Sequence, residues 1–272
     1  MKSEEFDMWL IIAREYNEDP IMKTLLPPPM KRARRTTMLA FFLEEDEVES
    51  YSIARYEMGE LYENYWDAES EDQYQSLNEL IKEKDPETIG VNRSDNFGLA
   101  DGLTWGEYKR LENNLDEKFL EKFRPADNLG VRWLETRSEK ELQVYPGIVE
   151  IAHKIIETAF SSSVIHPGVT TTEDVSWWMF EKIADLNLEN GFDPTIDLQA
   201  KGMPWGDNDG AGSFDEEDRK TILPGDLVRC DMGFSYLGLN TDVQQNVYIR
   251  EKDEKDVPDG LKEGLRKANQ LQ

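Results

Sequence analysis

The clearest pattern in the chain is the alternation of apolar and polar positions over residues 227–234, which predicts a β-strand with one buried face. A second alternating run covers residues 239–249. The short segment between the two runs predicts that they form the two arms of one β-hairpin. On the first arm, the buried face is expected to carry Val228, Cys230, Met232 and Phe234.

Two carboxylates fall on the opposite, polar face of this hairpin. A turn centred between Tyr236 and Leu237 predicts that Asp231 lies directly across from Asp242, with the two β-carbons roughly 5 Å apart. Carboxylates at that distance repel each other, so they require a cation, a shared proton or an arginine such as Arg229. The same spacing is also typical of a half-buried hairpin whose polar face simply contacts water.

The first part of the chain alternates predicted strands with predicted helices. Residues 38–43 suit a buried strand, residues 72–84 a helix, and residues 88–91 another strand. Thr104 and Glu107 have the spacing of a capping box, in which each side chain bonds the backbone of the other at a helix start. This alternation predicts an α/β layer.

Two helices are predicted before the hairpin. Ser138 and Glu141 form a second capping-box pattern, and apolar spacing extends that helix to about residue 160, although Pro146 interrupts it. Thr172 is predicted to cap a helix over residues 173–189. The chain is therefore expected to mix helices and strands throughout, in the α/β (α+β) class.

Charge and cysteine content restrict the classes of partner and compartment. The net charge of −26 predicts no nucleic-acid or anionic-membrane partner, and the basic segment 31–35 is either a solvated loop or an anionic or subunit contact. The single cysteine, Cys230, excludes an internal disulfide and has the position of a core residue. An acidic N-terminus and the lack of a long apolar run predict a cytoplasmic protein with no membrane span.

Three segments resemble known motifs of the M24 metallopeptidase family, which includes Xaa-Pro aminopeptidases, prolidases and creatinase on the pitta-bread fold. The central motif is Ile222-Leu223-Pro224-Gly225-Asp226-Leu227-Val228 with Asp231-Met232-Gly233 and Thr241-Asp242. The segment from Pro167 to Val175 is similar to a Pro-Gly-Val-Thr-Thr-Glu-Asp-Val stretch of the family, and the N-terminal region is similar to its creatinase-like domain. The resemblance implies a creatinase-like α/β domain over residues 1–132 and the first part of a pitta-bread catalytic domain over 133–272.

The resemblance also implies a chemistry and its ligands. Asp231 and Asp242 correspond to the first two ligands of a pair of divalent ions, with Mn²⁺ expected first and Co²⁺, Fe²⁺ or Zn²⁺ as alternatives. The ion pair would activate a water molecule that cleaves an N-terminal peptide bond, typically in a peptide that begins with Xaa-Pro. The family's later ligands, a histidine and two glutamates, have no counterpart before Gln272, so the site is expected to be incomplete and the chain truncated. No catalytic or other cofactor-binding residue is predicted.

Two departures from the family pattern leave a second hypothesis open. Residues 201–220 contain no histidine, although many peptidase members carry one there, and Arg229 stands where a subgroup often has histidine. The chain is therefore either a metal-dependent Xaa-Pro peptidase-like hydrolase or a non-catalytic relative that serves as a binding module or inactive product. The family resemblance also allows for a homodimer.

Overall fold

The protein is described here from a computed structural model, which covers residues 1–202 and 221–271. The chain divides into two compact units, residues 1–136 and residues 137–272. The mixed α/β class predicted from the sequence is confirmed. The assignment of residues 1–132 and 133–272 to two family domains stays a prediction.

The first unit is built on a six-stranded mixed sheet with the order β4-β3-β2-β1-β5-β6. Strands β1, β2 and β3 pair antiparallel, whereas β5 runs parallel to β1, β6 parallel to β5, and β4 parallel to β3. The strands are β1 (Met8–Arg14), β2 (Thr36–Glu44), β3 (Glu47–Ile53), β4 (Glu63–Asn64), β5 (Ile89–Val91) and β6 (Phe123–Pro125). The strands predicted at residues 38–43 and 88–91 are thus confirmed.

Helices cover both faces of this sheet. Central strand β1 is buried on both sides: Trp9 and Ile11 enter one hydrophobic cluster, and Leu10 and Ile12 enter the other. The helices are α1 (Met22–Leu25), α2 (Gln73–Lys84), α3 (Trp105–Asn114), α4 (Glu117–Leu120) and α5 (Asp127–Glu135), with single 3-10 turns at Lys2–Glu4, Gly59–Leu61 and Gly98–Ala100. Burial on two faces explains the continuous apolar run of β1.

The capping box predicted at the start of α3 is only half formed. Thr104 Oγ1 accepts a hydrogen bond from the Glu107 N–H at 3.3 Å, as predicted. The Glu107 carboxylate does not return the bond, because it is buried and lies 2.6 Å from Arg14 Nε. Tyr74 also donates its hydroxyl to Glu107 at 3.1 Å. Tertiary contacts have therefore replaced the local one.

The second unit has a smaller sheet with the order β10-β8-β7, and β9 extends the hairpin beside β8. Its elements are α6 (Glu139–Ala159), α7 (Thr172–Asp185), β7 (Glu189–Gln199), β8 (Leu227–Tyr236), β9 (Leu239–Asn240), β10 (Val243–Tyr248) and α8 (Asp259–Leu271). Helix α6 packs on β8 and helix α7 packs on β7, and apolar residues of both helices share one core cluster with the buried side of β8. None of the helices within the described residues has the length and apolar character needed to span a bilayer.

Both helix starts before the hairpin are well capped. Ser138 and Glu141 form the predicted capping box, and α6 continues through Pro146 without a break. The start of α7 is capped by Thr171 with Asp174, one residue earlier than predicted. The prediction that this helix reaches residue 189 is wrong: it ends at Asp185, Asn187 adopts a left-handed conformation, and β7 begins two residues later.

Candidate metal centre

The hairpin predicted from the alternating pattern is present, but its register differs from the prediction. Leu237 and Gly238 occupy the turn with φ of 53° and 77°, the positive values of a type I′ hairpin turn. The predicted turn was centred one residue too early, so the predicted pairing of Asp231 with Asp242 is wrong. Asp231 pairs instead with Gln244.

The corrected register still keeps both carboxylates on one face. A shift of two residues preserves the side of the sheet to which every side chain points. Gly233 is the residue across from Asp242 in the register shared by β9 and β10, so Asp242 is a diagonal neighbour of Asp231. The expected buried face is confirmed: Val228, Cys230, Met232 and Phe234 are all fully buried.

Close contact between the hairpin arms at Gly233 sets the position of Asp242. The Thr241 N–H donates to the Phe234 carbonyl at 2.9 Å, and the Thr241 hydroxyl accepts from the Phe234 N–H at 3.0 Å. This hydroxyl takes the place of a backbone acceptor between β9 and β10. A β-carbon on Gly233 would lie 2.2 Å from the Thr241 carbonyl oxygen, so only glycine fits.

The segment before β8 serves a structural purpose. Gly225 adopts a φ of 93°, which favours glycine. The buried Asp226 carboxylate accepts hydrogen bonds from the Leu223 N–H at 2.8 Å and the Lys201 N–H at 3.2 Å. The Pro-Gly-Asp motif thus fixes the turn from which β8 starts, and the candidate ligands lie beyond it, on the hairpin.

The two oxygens of Asp231 have different surroundings. Oδ2 accepts a hydrogen bond from Gln244 Nε2 at 2.7 Å and lies 3.6 Å from the Arg229 guanidinium. Oδ1 is inaccessible to solvent and has no hydrogen-bond donor among the described residues. Burial raises the pKa of the Asp231 carboxyl above its ordinary value, and the adjacent charge of Asp242 raises it further, against the opposing effects of Arg229 and Gln244.

Asp197 is a third acidic residue on this face that the sequence reasoning missed. It pairs with Arg229 across β7 and β8, and its Oδ2 lies 3.1 Å from an Arg229 nitrogen. Arg229 therefore contacts both Asp197 and Asp231. The sequence around Asp197 matches no motif. Its only signal for a role in this site was an acidic residue between polar and apolar positions of a possible strand.

The arrangement fits a divalent cation in part. A buried carboxylate oxygen without a donor is unfavourable, and a second carboxylate, Asp242, interacts with the same side chain. Two ionised carboxylates tolerate such proximity when a cation lies between them, and oxygen ligands of this kind suit Mn²⁺. Within residues 1–202 and 221–271, however, no group of three or more His, Cys, Asp or Glu side chains has the geometry to hold a metal.

The sequence also singles out Cys230 and the histidine-free segment 201–220. Cys230 is buried on the opposite face of β8, and desolvation raises the pKa of its thiol to about 11, as expected for a core residue and not for a nucleophile. Most of the histidine-free segment 201–220 lies outside the described residues.

Comparison with solved structures identifies the same architecture in known enzymes. The chain is similar to an X-Pro aminopeptidase from Thermotoga maritima (TM-score 0.61, 15% identity, 97% of this chain covered). It is also similar to an Xaa-Pro dipeptidase from Bacillus anthracis (TM-score 0.57, 18% identity, 96% of this chain covered). A prolidase from Pyrococcus horikoshii is similar as well (TM-score 0.55, 18% identity, 94% of this chain covered). The chain spans 68%, 64% and 64% of these proteins.

Identities this low establish the fold alone. A comparison with curated protein sequences found no match. The family model described as "Metallopeptidase family M24" matches residues 147–271, which include α7, the hairpin and both carboxylates. The resemblance to the M24 metallopeptidase family and its pitta-bread fold is therefore confirmed, and residues 147–271 of this chain carry it.

Proposed function

We propose that this protein is a metal-dependent, aminopeptidase-like hydrolase of the Xaa-Pro type, to whose metal centre this chain contributes Asp231 and Asp242. The observation that carries the proposal is the buried Asp231 Oδ1, which has no donor among the described residues and belongs to a side chain that interacts with Asp242. Its place within the family match, on the polar face of the hairpin, supports the same conclusion.

The residues around the centre have separate roles in this proposal. Asp231 and Asp242 bind the cation through oxygen, and Gln244 holds Asp231 Oδ2 in place. Gly233 and Thr241 bring the second arm close enough for Asp242 to take part. When bound, a pair of divalent ions supplies the activation of a water molecule and the stabilisation of developing negative charge.

The substrate and the metal follow from the family and from the relatives. We infer a peptide with an N-terminal Xaa-Pro sequence, because the similar solved structures are an X-Pro aminopeptidase, an Xaa-Pro dipeptidase and a prolidase. Mn²⁺ is our first choice of metal because the two assigned ligands are carboxylates. A cytoplasmic location and a homodimer stay predictions from the sequence.

A specific observation favours the alternative of a non-catalytic metal-binding relative. The described residues supply two carboxylates to the centre, and no group of three or more His, Cys, Asp or Glu side chains among them has the geometry to hold a metal. Arg229 also contacts Asp231 and reduces the need for a cation. With few ligands, the chain is expected to bind Mn²⁺ weakly.

Titration calorimetry with MnCl₂ tests the centre, and a dipeptide assay separates the two functions. Asp231→Ala and Asp242→Asn should each abolish Mn²⁺ binding, whereas Asp253→Asn, an exposed aspartate of the same unit, should leave it unchanged. Turnover of an Xaa-Pro dipeptide that disappears in both site variants would support the hydrolase. Binding without turnover would support the non-catalytic alternative, and Mn²⁺ binding that survives both substitutions would refute the proposed centre.

A further inference from the structure

We propose that Arg229 is a positioning residue that acts as a built-in counter-cation: it holds Asp231 when no metal is bound and competes with a divalent ion for that carboxylate. The part of this inference that concerns metal affinity rests on the proposed function. The part that concerns the metal-free protein stands on the geometry of the described residues alone.

The sheet itself places the guanidinium between carboxylates. Arg229 and Asp231 are two residues apart on β8, so their side chains share one face. Asp197 on β7 is the direct neighbour of Arg229 in the register. The guanidinium lies 3.1 Å from Asp197 Oδ2 and 3.6 Å from Asp231 Oδ2, so one cation contacts both acidic side chains.

The charges on this face make such a cation necessary in the absence of metal. Asp197, Asp231 and Asp242 present three carboxylates, and Arg229 is the cation that the structure pairs with two of them. Neighbouring carboxylates repel each other, and a fixed positive charge reduces that repulsion. We therefore expect the metal-free hairpin to depend on Arg229 for part of its stability.

The same contact has the opposite effect on metal binding. Arg229 and Gln244 contact Asp231 Oδ2, so we assign a cation to Oδ1, which has no donor among the described residues. A divalent ion at Oδ1 would lie a few ångströms from the guanidinium, and like charges at that distance weaken binding. Replacing Arg229 with a neutral residue should therefore increase Mn²⁺ affinity.

The test compares Arg229→Gln with Arg229→Lys, and uses Arg266→Gln as a control for the change in net charge. Arg266 is exposed on α8 and pairs with Glu263. We expect Arg229→Gln to bind Mn²⁺ about tenfold or more tightly than the wild type, because a nearby positive charge has been removed. Arg229→Lys and Arg266→Gln should stay within about twofold, because the local charge is kept. A purely structural role for Arg229 would lower affinity, so equal or weaker binding by Arg229→Gln overturns the inference.

Thermal unfolding in EDTA supplies an independent readout. Arg229→Gln should lower the unfolding temperature of the metal-free protein, and the loss should shrink when Asp231→Asn is also present, because there is then less charge to neutralise. An equal loss in both backgrounds would refute the counter-cation role. If no protein shows Asp231-dependent Mn²⁺ binding, the proposed function fails, while this double-mutant comparison still decides the role of Arg229.

Discussion

Gly233→Ala should damage the hairpin more than a methyl group normally does, because the added β-carbon would meet backbone. Its position lies 2.2 Å from the Thr241 carbonyl oxygen and 2.4 Å from Phe192 Cε1. An ordinary carbon–oxygen contact is about 3.3 Å or longer, so the two arms would have to separate by about 1 Å. Phe192 can rotate or shift, whereas the Thr241 carbonyl is held by the hydrogen bonds of Thr241 to Phe234.

The size of the effect follows from overpacking and from the hydrogen bonds that would be strained. Forcing a methyl group into a closely packed site costs about 1–3 kcal/mol. Weakening the two bonds between Thr241 and Phe234 adds up to about 1 kcal/mol each. We expect a total loss of about 1–5 kcal/mol in the free energy of unfolding. Because Asp242 follows Thr241 directly, the same displacement should weaken Mn²⁺ binding.

Urea unfolding measures the loss, and hydrogen exchange of peptides from residues 227–249 locates it. Gly147→Ala is a matched control in the same unit, since no atom lies within 4 Å of its added β-carbon. This control lies inside α6, where alanine is favoured over glycine by about 1 kcal/mol, so it should be neutral or stabilising. A loss below about 0.5 kcal/mol for Gly233→Ala, with Mn²⁺ binding unchanged, would refute the close-approach argument.

Three further predictions concern the frame around the centre and the first unit. Asn92→Ala should lower the free energy of unfolding in urea by about 2–4 kcal/mol. The Asn92 side chain accepts a hydrogen bond from Trp9 Nε1 and donates one to Asp19 Oδ2, and both bonds are buried and 2.8 Å long. Asn96→Ala, at an exposed position, is the control and should change stability little. Burial raises the pKa of the Asp19 carboxyl above 3.8 in the folded protein, so its contribution to stability is present below pH 3.8 and is lost as the pH rises through the pKa of the folded state. The difference in the free energy of unfolding between wild type and Asp19→Asn should therefore shrink over that pH range. A constant difference would contradict the raised pKa of Asp19. Ser138→Ala should cost about 1 kcal/mol by removing the α6 capping box, and exposed Lys140→Ala is its control.

The sequence predicted the faces of the hairpin well and its register poorly. Alternation alone assigns each residue of β8 to a side of the sheet, and four buried apolar positions on one face confirm that assignment. Register depends on the turn, and here Leu237 adopts a positive φ that is uncommon for leucine. Pattern reasoning expects asparagine, aspartate or glycine before the glycine of such a turn, so the pair Leu237-Gly238 gave only half of the usual signal.

Strand β7 shows why Asp197 was missed. Its sequence contains Asn190-Gly191 and Pro194, which are typical of a helix end and a turn, and its pairing with β8 has two register shifts. Only long-range pairing with β8 makes this segment a strand. In the first unit, Glu107 illustrates the same limit, because contacts with Arg14 and Tyr74 override the local capping pattern.

The two-residue error in register matters for chemistry although it leaves both carboxylates on one face. Direct opposition of Asp231 and Asp242 would have placed a second carboxylate, and not the amide donor of Gln244, across from Asp231. In the structure, Gln244 occupies the opposing position and donates to one oxygen of Asp231, while Arg229 approaches the same oxygen. The other oxygen is buried and has no donor within residues 1–202 and 221–271. The actual register therefore makes the two oxygens of Asp231 more unequal, because Gln244 donates to Oδ2 while Oδ1 has no donor among the described residues.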